Sequence, residues 1–89
     1  MTQMIIELTF YTTEGCHLCE DAQRLLQQLL VQYPTRFQIE VVDIIDSEEL
    51  IEQYGTRIPV VMKDAVQQVL AWPFTYADLL CFVEEGEMQ

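Results

Sequence analysis

Cys16 and Cys19 are the residues of this chain most able to do covalent chemistry, spaced as Cys-x-x-Cys in Gly15-Cys16-His17-Leu18-Cys19-Glu20. Such a pair can exchange disulfides, or it can offer soft ligands to a metal ion. Exchange needs an accessible thiolate as attacker and a second thiol to resolve the mixed disulfide. The pair follows an apolar run, Met4 to Tyr11, and a polar break at Thr12-Thr13-Glu14, and a long amphipathic segment begins with it. That order predicts strand, tight loop and helix, with Cys16 at the helix mouth. Free backbone N–H groups and the helix dipole favour a thiolate there. Cys19, one turn further in, is near enough to close an intramolecular disulfide but more shielded. Cys16 is therefore the expected nucleophile and Cys19 the resolving thiol, and Gly15 removes side-chain bulk beside the attacking sulfur.

The neighbours of the pair pull in opposite directions. A helix terminus is worth roughly 0.3–1 kcal/mol to a nearby anion. Each of the carboxylates of Glu14, Glu20 and Asp21, at ~8 Å through water, costs about 0.5 kcal/mol before salt screening, so the effects nearly cancel. His17, the only histidine, either stabilises the thiolate as an imidazolium or is a solvated first-turn residue. As a metal site the set is short. Cys16, Cys19 and His17 fall below the four ligands of a closed zinc site. Cys81, in the last predicted helix, is expected to be a buried small hydrophobe. No metal is expected.

The elements that must position the pair are legible around it. Met4 to Tyr11, rich in Ile, Phe and Tyr, fits a largely buried strand. From Cys16 to about Tyr33, Leu18, Ala22, Leu25, Leu26, Leu29, Leu30 and Tyr33 recur at helical intervals, while Arg24, Gln27, Gln28 and Gln32 fall opposite. Pro34 ends that helix. Phe37 to Val42 alternates and predicts a second strand, parallel to the first because a helix joins them. Asp46 or Ser47 can cap a short helix whose inner face is Leu50, Ile51 and Tyr54, with Gly55 as a left-handed cap. Val60-Val61-Met62 and Val66 to Ala71, joined through Lys63-Asp64-Ala65, predict an antiparallel hairpin. Thr75 or Asp78 then opens a last helix over Tyr76, Leu79, Leu80 and Val83, and Glu84, Glu85 and Glu87 trail into a polar tail. The order is β-α-β-α-β-β-α.

Composition bounds the rest. The chain has 89 residues, 51% of them apolar, which is enough for one small domain, residues 1–89, with a packed core. No apolar run reaches the roughly 18 residues of a membrane helix. Met1-Thr2-Gln3-Met4 lacks the basic start of a signal peptide. An odd count of 3 cysteines suits a reducing compartment better than secretion. A cytoplasmic protein, with no membrane association and monomeric, is expected. With 4 basic against 15 acidic residues the net charge is −11, which repels phosphate backbones and argues against nucleic-acid binding.

With its Cys-x-x-Cys after the first strand and Ile58-Pro59 before the third, the chain resembles the glutaredoxins of the thioredoxin fold. More narrowly, Gly15-Cys16-His17-Leu18-Cys19-Glu20 and Arg57-Ile58-Pro59-Val60 resemble a small bacterial glutaredoxin-like family with a Gly-Cys-His-Leu-Cys signature, over residues 4 to 86. The resemblance implies a three-layer α/β/α fold, a four-stranded mixed sheet with three helices. It also implies a cis Pro59 opposite the cysteines. There Pro59 presents the backbone of Ile58 to an extended thiol substrate, whose strand would pair with the Ile58 N–H and C=O. Arg57 either meets a substrate carboxylate or is a solvated loop cation. Together with Gly15 and His17 these form the expected substrate-binding set. Three departures bear on the substrate. Thr13 stands where ordinary glutaredoxins carry a Lys, and His17-Leu18 where they carry Pro-Tyr or Pro-Phe. Ala71-Trp72-Pro73-Phe74-Thr75 replaces their Gly-Gly turn, and Trp72 and Phe74 either line an apolar groove or join the core. Glutathione is thus an open substrate whose usual determinants are largely missing. The Cys16 thiolate is expected to be less favoured than in those enzymes.

Two readings follow. One is a thiol-disulfide oxidoreductase or electron carrier acting on protein or low-molecular-weight disulfides without a bound cofactor. The other is a thioredoxin-fold adaptor whose pair turns over little.

Overall fold

The central strand, β1 (Ile6–Thr12), explains the architecture. In the computed structural model, which describes residues 5–84, β1 is flanked by β2 (Phe37–Asp43) on one side and β3 (Val60–Lys63) on the other. β4 (Gln68–Ala71) completes the order β2-β1-β3-β4. The expected start of the first strand at Met4 and the tail residues Glu85 and Glu87 lie outside the described residues. β1 and β2 are parallel, from Ile6 opposite Phe37 to Thr12 opposite Asp43. β3 runs antiparallel to β1, with Tyr11 opposite Val60 and Leu8 opposite Lys63. β3 and β4 form the expected antiparallel hairpin.

Alternation along the strands builds two cores, one on each face of the sheet. Leu8, Phe10 and Val61 pack with Cys19, Ala22, Leu26 and Leu29 of α1 (His17–Gln32) and Leu79, Phe82 and Val83 of α3 (Tyr76–Glu84). Val60, flanked by Tyr11, packs on the other face with Ile44 and with Tyr54 of α2 (Glu48–Tyr54). This is the three-layer α/β/α fold: a four-stranded mixed sheet and three α-helices.

Helix ends follow local chemistry. Tyr33 is the C-cap of α1, its N–H donating to the Leu29 carbonyl at 2.9 Å, and Pro34 follows. Of the two candidates for opening α2, Ser47 is the cap, its hydroxyl accepting from Leu50 N. Asp46 instead closes a 3-10 turn, Ile44–Asp46, that Asp43 caps through Ile45 N at 3.0 Å. Thr75 opens α3 through a reciprocal pair. The Asp78 N–H donates to Thr75 Oγ1 at 3.1 Å and the Thr75 N–H to Asp78 Oδ2 at 2.9 Å.

Several expectations are corrected. Leu18 is 48% exposed; it sits in the first turn of α1, where neither core cluster reaches it. Ile51 is also exposed, leaving Tyr54 as the buried anchor of α2. Gly55 is right-handed (φ −53°, ψ −35°), not a left-handed cap. Its N–H continues the helix to Ile51 O, and a Cβ at this position would collide with that same carbonyl, so the glycine serves close approach. β4 begins at Gln68 rather than Val66, because the hairpin turn closes through Gln67 in the left-handed region (φ 57°), its N–H on Lys63 O at 2.8 Å. Cys81 is exposed, not buried. It falls between the core positions Leu79, Phe82 and Val83 and so lies on the other side of α3.

Candidate active site: a cysteine pair at a helix mouth

The chain leaves β1 at Thr12 and turns into α1 through Gly15, whose φ of +77° lies in the left-handed region. A Cβ there would meet nothing within 4 Å, so the glycine is needed for backbone conformation rather than space. Cys16 follows in extended conformation as the N-cap of α1, its Sγ accepting from the backbone N–H of Cys19 at 3.1 Å. Its carbonyl receives the first helical bond, from Glu20 N at 3.3 Å. The Cys16 sulfur at this position takes the place of the usual Ser or Asp oxygen as the acceptor for an otherwise unpaired donor.

Cys16 and Cys19 are joined in a disulfide with Cα atoms 5.2 Å apart, within the ordinary range for such a bridge. The two sulfurs are unequally accessible. Cys19 is buried at 4% exposure and belongs to the main core, whereas Cys16 is half-buried at its edge. His17 is exposed as the first residue of α1. Of the carboxylates nearby in sequence, Asp21 is held by Arg24 at 2.6 Å, while Glu14 and Glu20 are exposed.

The second part of the site comes from the loop between α2 and β3. Val60 stands opposite Tyr11 in the sheet, so Pro59 and the cysteine loop leave the sheet at the same end. The Ile58–Pro59 peptide bond is cis, as the resemblance implied, and so is Trp72–Pro73, which nothing in the sequence indicated. Pro59 is fully buried, its carbonyl accepting from Trp72 N at 3.1 Å. The amides of Arg57 and Ile58 both donate to the Tyr54 carbonyl, at 2.8 and 3.0 Å. The N–H of Ile58 is thus already engaged, and of the two groups expected to pair with a substrate strand only its carbonyl is left. Arg57 is exposed, with its guanidinium 6.0 Å over the Tyr54 ring.

Tyr54 is the residue whose role the sequence did not disclose. Beyond anchoring α2, it holds the Pro59 loop by its carbonyl and stacks on Tyr11 at 4.5 Å and 20°. Burial first, then the neighbouring Tyr54, Asp64 and Glu40, push the Tyr11 hydroxyl above the ordinary tyrosine value, so it stays protonated at neutral pH. Phe74 joins the main core, and Trp72 packs edge-on against it at 5.0 Å, half-buried. The apolar-groove option is thereby closed for Phe74. Among the described residues, no group of three or more His, Cys, Asp or Glu is placed to hold a metal ion.

The family model for the glutaredoxin-like domain (DUF836) matches residues 7–84. The chain belongs to this family. This glutaredoxin-like domain is similar in structure to the X. campestris protein XcR50, with a TM-score of 0.74 and 32% identity over 86% of this chain and 95% of that one. Protein Ne2328 from Nitrosomonas europaea gives the same TM-score at 26% identity, covering 92% and 95%. A more distant likeness, to thioredoxin-2 of the malaria parasite (TM-score 0.65, 14% identity, 96% of this chain and 86% of that one), shows the fold alone. No curated protein matches the chain. No described helix is long and apolar enough to cross a membrane. A glutaredoxin-like domain with a bonded Cys16–Cys19 pair at the mouth of α1 has a redox-type role.

Proposed function

We propose that the protein is a dithiol oxidoreductase, or electron carrier, of a reducing cytoplasm that acts on protein or low-molecular-weight disulfides. The observation that carries this reading is the unequal pair: a half-buried Cys16 capping α1 and a buried Cys19 bonded to it. In the reduced state the Cys16 thiolate attacks one sulfur of the substrate disulfide. A mixed disulfide forms, and the other substrate sulfur leaves as a thiolate that takes up a proton. Cys19 then loses its proton and attacks Cys16 Sγ, which closes the internal disulfide and releases the second substrate thiol. Two electrons and two protons pass to the substrate, and a thiol reductant returns the pair to the dithiol form. The Cys19 N–H supports the negative charge of the Cys16 thiolate that attacks.

Gly15, His17, Arg57 and Ile58 form the rim on which a substrate would lie, and the buried Pro59 acts behind it by setting the Ile58 backbone. The Ile58 carbonyl is the backbone acceptor for it, and Arg57 a cation within reach of a carboxylate. No bound cofactor is needed. The engaged Ile58 N–H and the bulky Ala71–Thr75 segment favour the adaptor as the second reading. A reduction potential measured together with turnover of a mixed-disulfide substrate separates the two. The oxidoreductase gives turnover at a potential of about −200 to −270 mV, in the range of glutaredoxins and thioredoxin. A far lower potential without turnover assigns the adaptor.

A further inference from the structure

We infer that the disulfides this site reduces belong to cationic proteins or peptides, and that anionic disulfides such as that of glutathione are poor substrates. The inference rests on the dithiol-exchange reading and concerns which substrate the site admits.

The basic residues are few, and their placement is uneven. Of the 4 lysines and arginines, Arg36 and Lys63 lie at the far end of the sheet. Arg36 accepts from Ile6 N, where β1 begins, and Lys63 stands opposite Leu8. Arg36 further stacks on Tyr33 and Phe37 and pairs with Glu84, while Lys63 is buried over the Phe82 ring. Arg24 is held by Asp21. Only Arg57 remains as an exposed cation at the end where β1 runs into the cysteine loop.

Carboxylates gather at that same end, because parallel β1 and β2 both finish there. Asp43 stands opposite Thr12 in the register, one strand spacing of roughly 5 Å away. The chain then passes through Asp46, Glu48 and Glu49 into α2, all three exposed, while Glu14 and Glu20 flank Cys16 and are exposed too. Beside them Leu18, 48% exposed, offers an apolar contact next to both cysteines. The half-buried Cys16 sulfur therefore lies at the more acidic end of a chain whose net charge is −11, because Glu7, Asp64 and Glu84 at the opposite end share it with Arg36 and Lys63. Long-range fields of this kind alter encounter rates by factors of about 10 to 1,000, with strong dependence on salt. They accelerate a substrate of opposite charge and repel one of like charge. Leu18 and the Ile58 carbonyl supply contacts that do not depend on charge, so the field selects among clients that all fit.

The test uses the pre-reduced full chain, with Cys81→Ser to silence the exposed free thiol, in single-turnover mixing with one disulfide-bonded peptide. The peptide is made in lysine-rich, uncharged and glutamate-rich forms. At about 20 mM salt the lysine-rich form should react at least ~10 times faster than the glutamate-rich form, and raising the salt to about 0.3 M should close most of that gap. In a Glu14→Gln/Glu48→Gln/Glu49→Gln variant, the rate ratio of lysine-rich to uncharged peptide should fall about threefold at low salt. Being a ratio, it does not depend on how much of the variant is folded. Equal rates for the three peptides, or a preference that salt leaves untouched, overturn the inference while leaving disulfide exchange in place. If none of the three is reduced, the oxidoreductase reading has failed and the inference with it.

Discussion

Neutralising Glu14 and Glu20 should raise the thiolate population of reduced Cys16, by an amount that Coulomb's law in water bounds. Three carboxylates lie near this sulfur in sequence, but Asp21 is tied to Arg24 at 2.6 Å, so its charge is largely offset. Glu14 and Glu20 are exposed and remain. At ~8 Å through water each costs a thiolate about 0.5 kcal/mol, hence about 1 kcal/mol together. A double Glu14→Gln/Glu20→Gln variant removes that cost and keeps the Cys19 N–H that Cys16 Sγ accepts. At a fixed pH below the midpoint of thiol titration, its thiolate population should be about sixfold that of the parent at low ionic strength. At physiological salt, where the Debye length is about 8 Å, the gain should shrink to about twofold. Thiolate ultraviolet absorbance of the reduced protein, in a Cys81→Ser background, reads this directly. No increase, or an equal increase at both salt concentrations, would refute the account of opposing helix-terminal and carboxylate effects.

Two further outcomes test the scaffold and the rim. Phe10, 1% exposed between Val41 and Val61 in the central strand, should lose about 3–5 kcal/mol of stability on replacement by Ala, read from urea denaturation. A loss under about 1 kcal/mol would contradict its place in the core. His17→Ala should move the reduction potential by no more than about 20 mV, because an exposed charge pair is worth at most about 1 kcal/mol. A larger shift would show the imidazole coupled to the thiolate.

Much of the frame was legible because it rests on periodicity and local chemistry. The Leu-rich stripe from Ala22 to Leu29, the stop at Pro34, the alternation of Phe37 to Val42 and the Thr75 cap each carry their structural cause within a few residues. What was not legible depends on where an element ends relative to its neighbours. Leu18 has the right spacing for the core, but its turn lies where no core residue covers it. Cys81 is small and apolar in type, yet the helix register set by Leu79, Phe82 and Val83 turns it outward. Gly55 suggested a left-handed cap, when the constraint is the Ile51 carbonyl beside it. At the site, the cysteine pair, Gly15 and Pro59 could be marked from residue type and context. The double use of the Tyr54 carbonyl by Arg57 and Ile58 could not, since it is a main-chain contact that any side chain at position 54 would permit.

The most direct test of the central claim, that Cys16 attacks and Cys19 resolves, is to trap the intermediate between those steps. Reduced Cys19→Ser/Cys81→Ser protein, mixed with a disulfide-bonded peptide and measured by intact mass, should carry one peptide half attached through Cys16 and lose it to a thiol reductant. With Cys19 restored, the same mixture should yield the internal Cys16–Cys19 disulfide and no lasting adduct. An unmodified Cys19→Ser/Cys81→Ser protein, or an adduct that persists when Cys19 is present, would contradict the assignment.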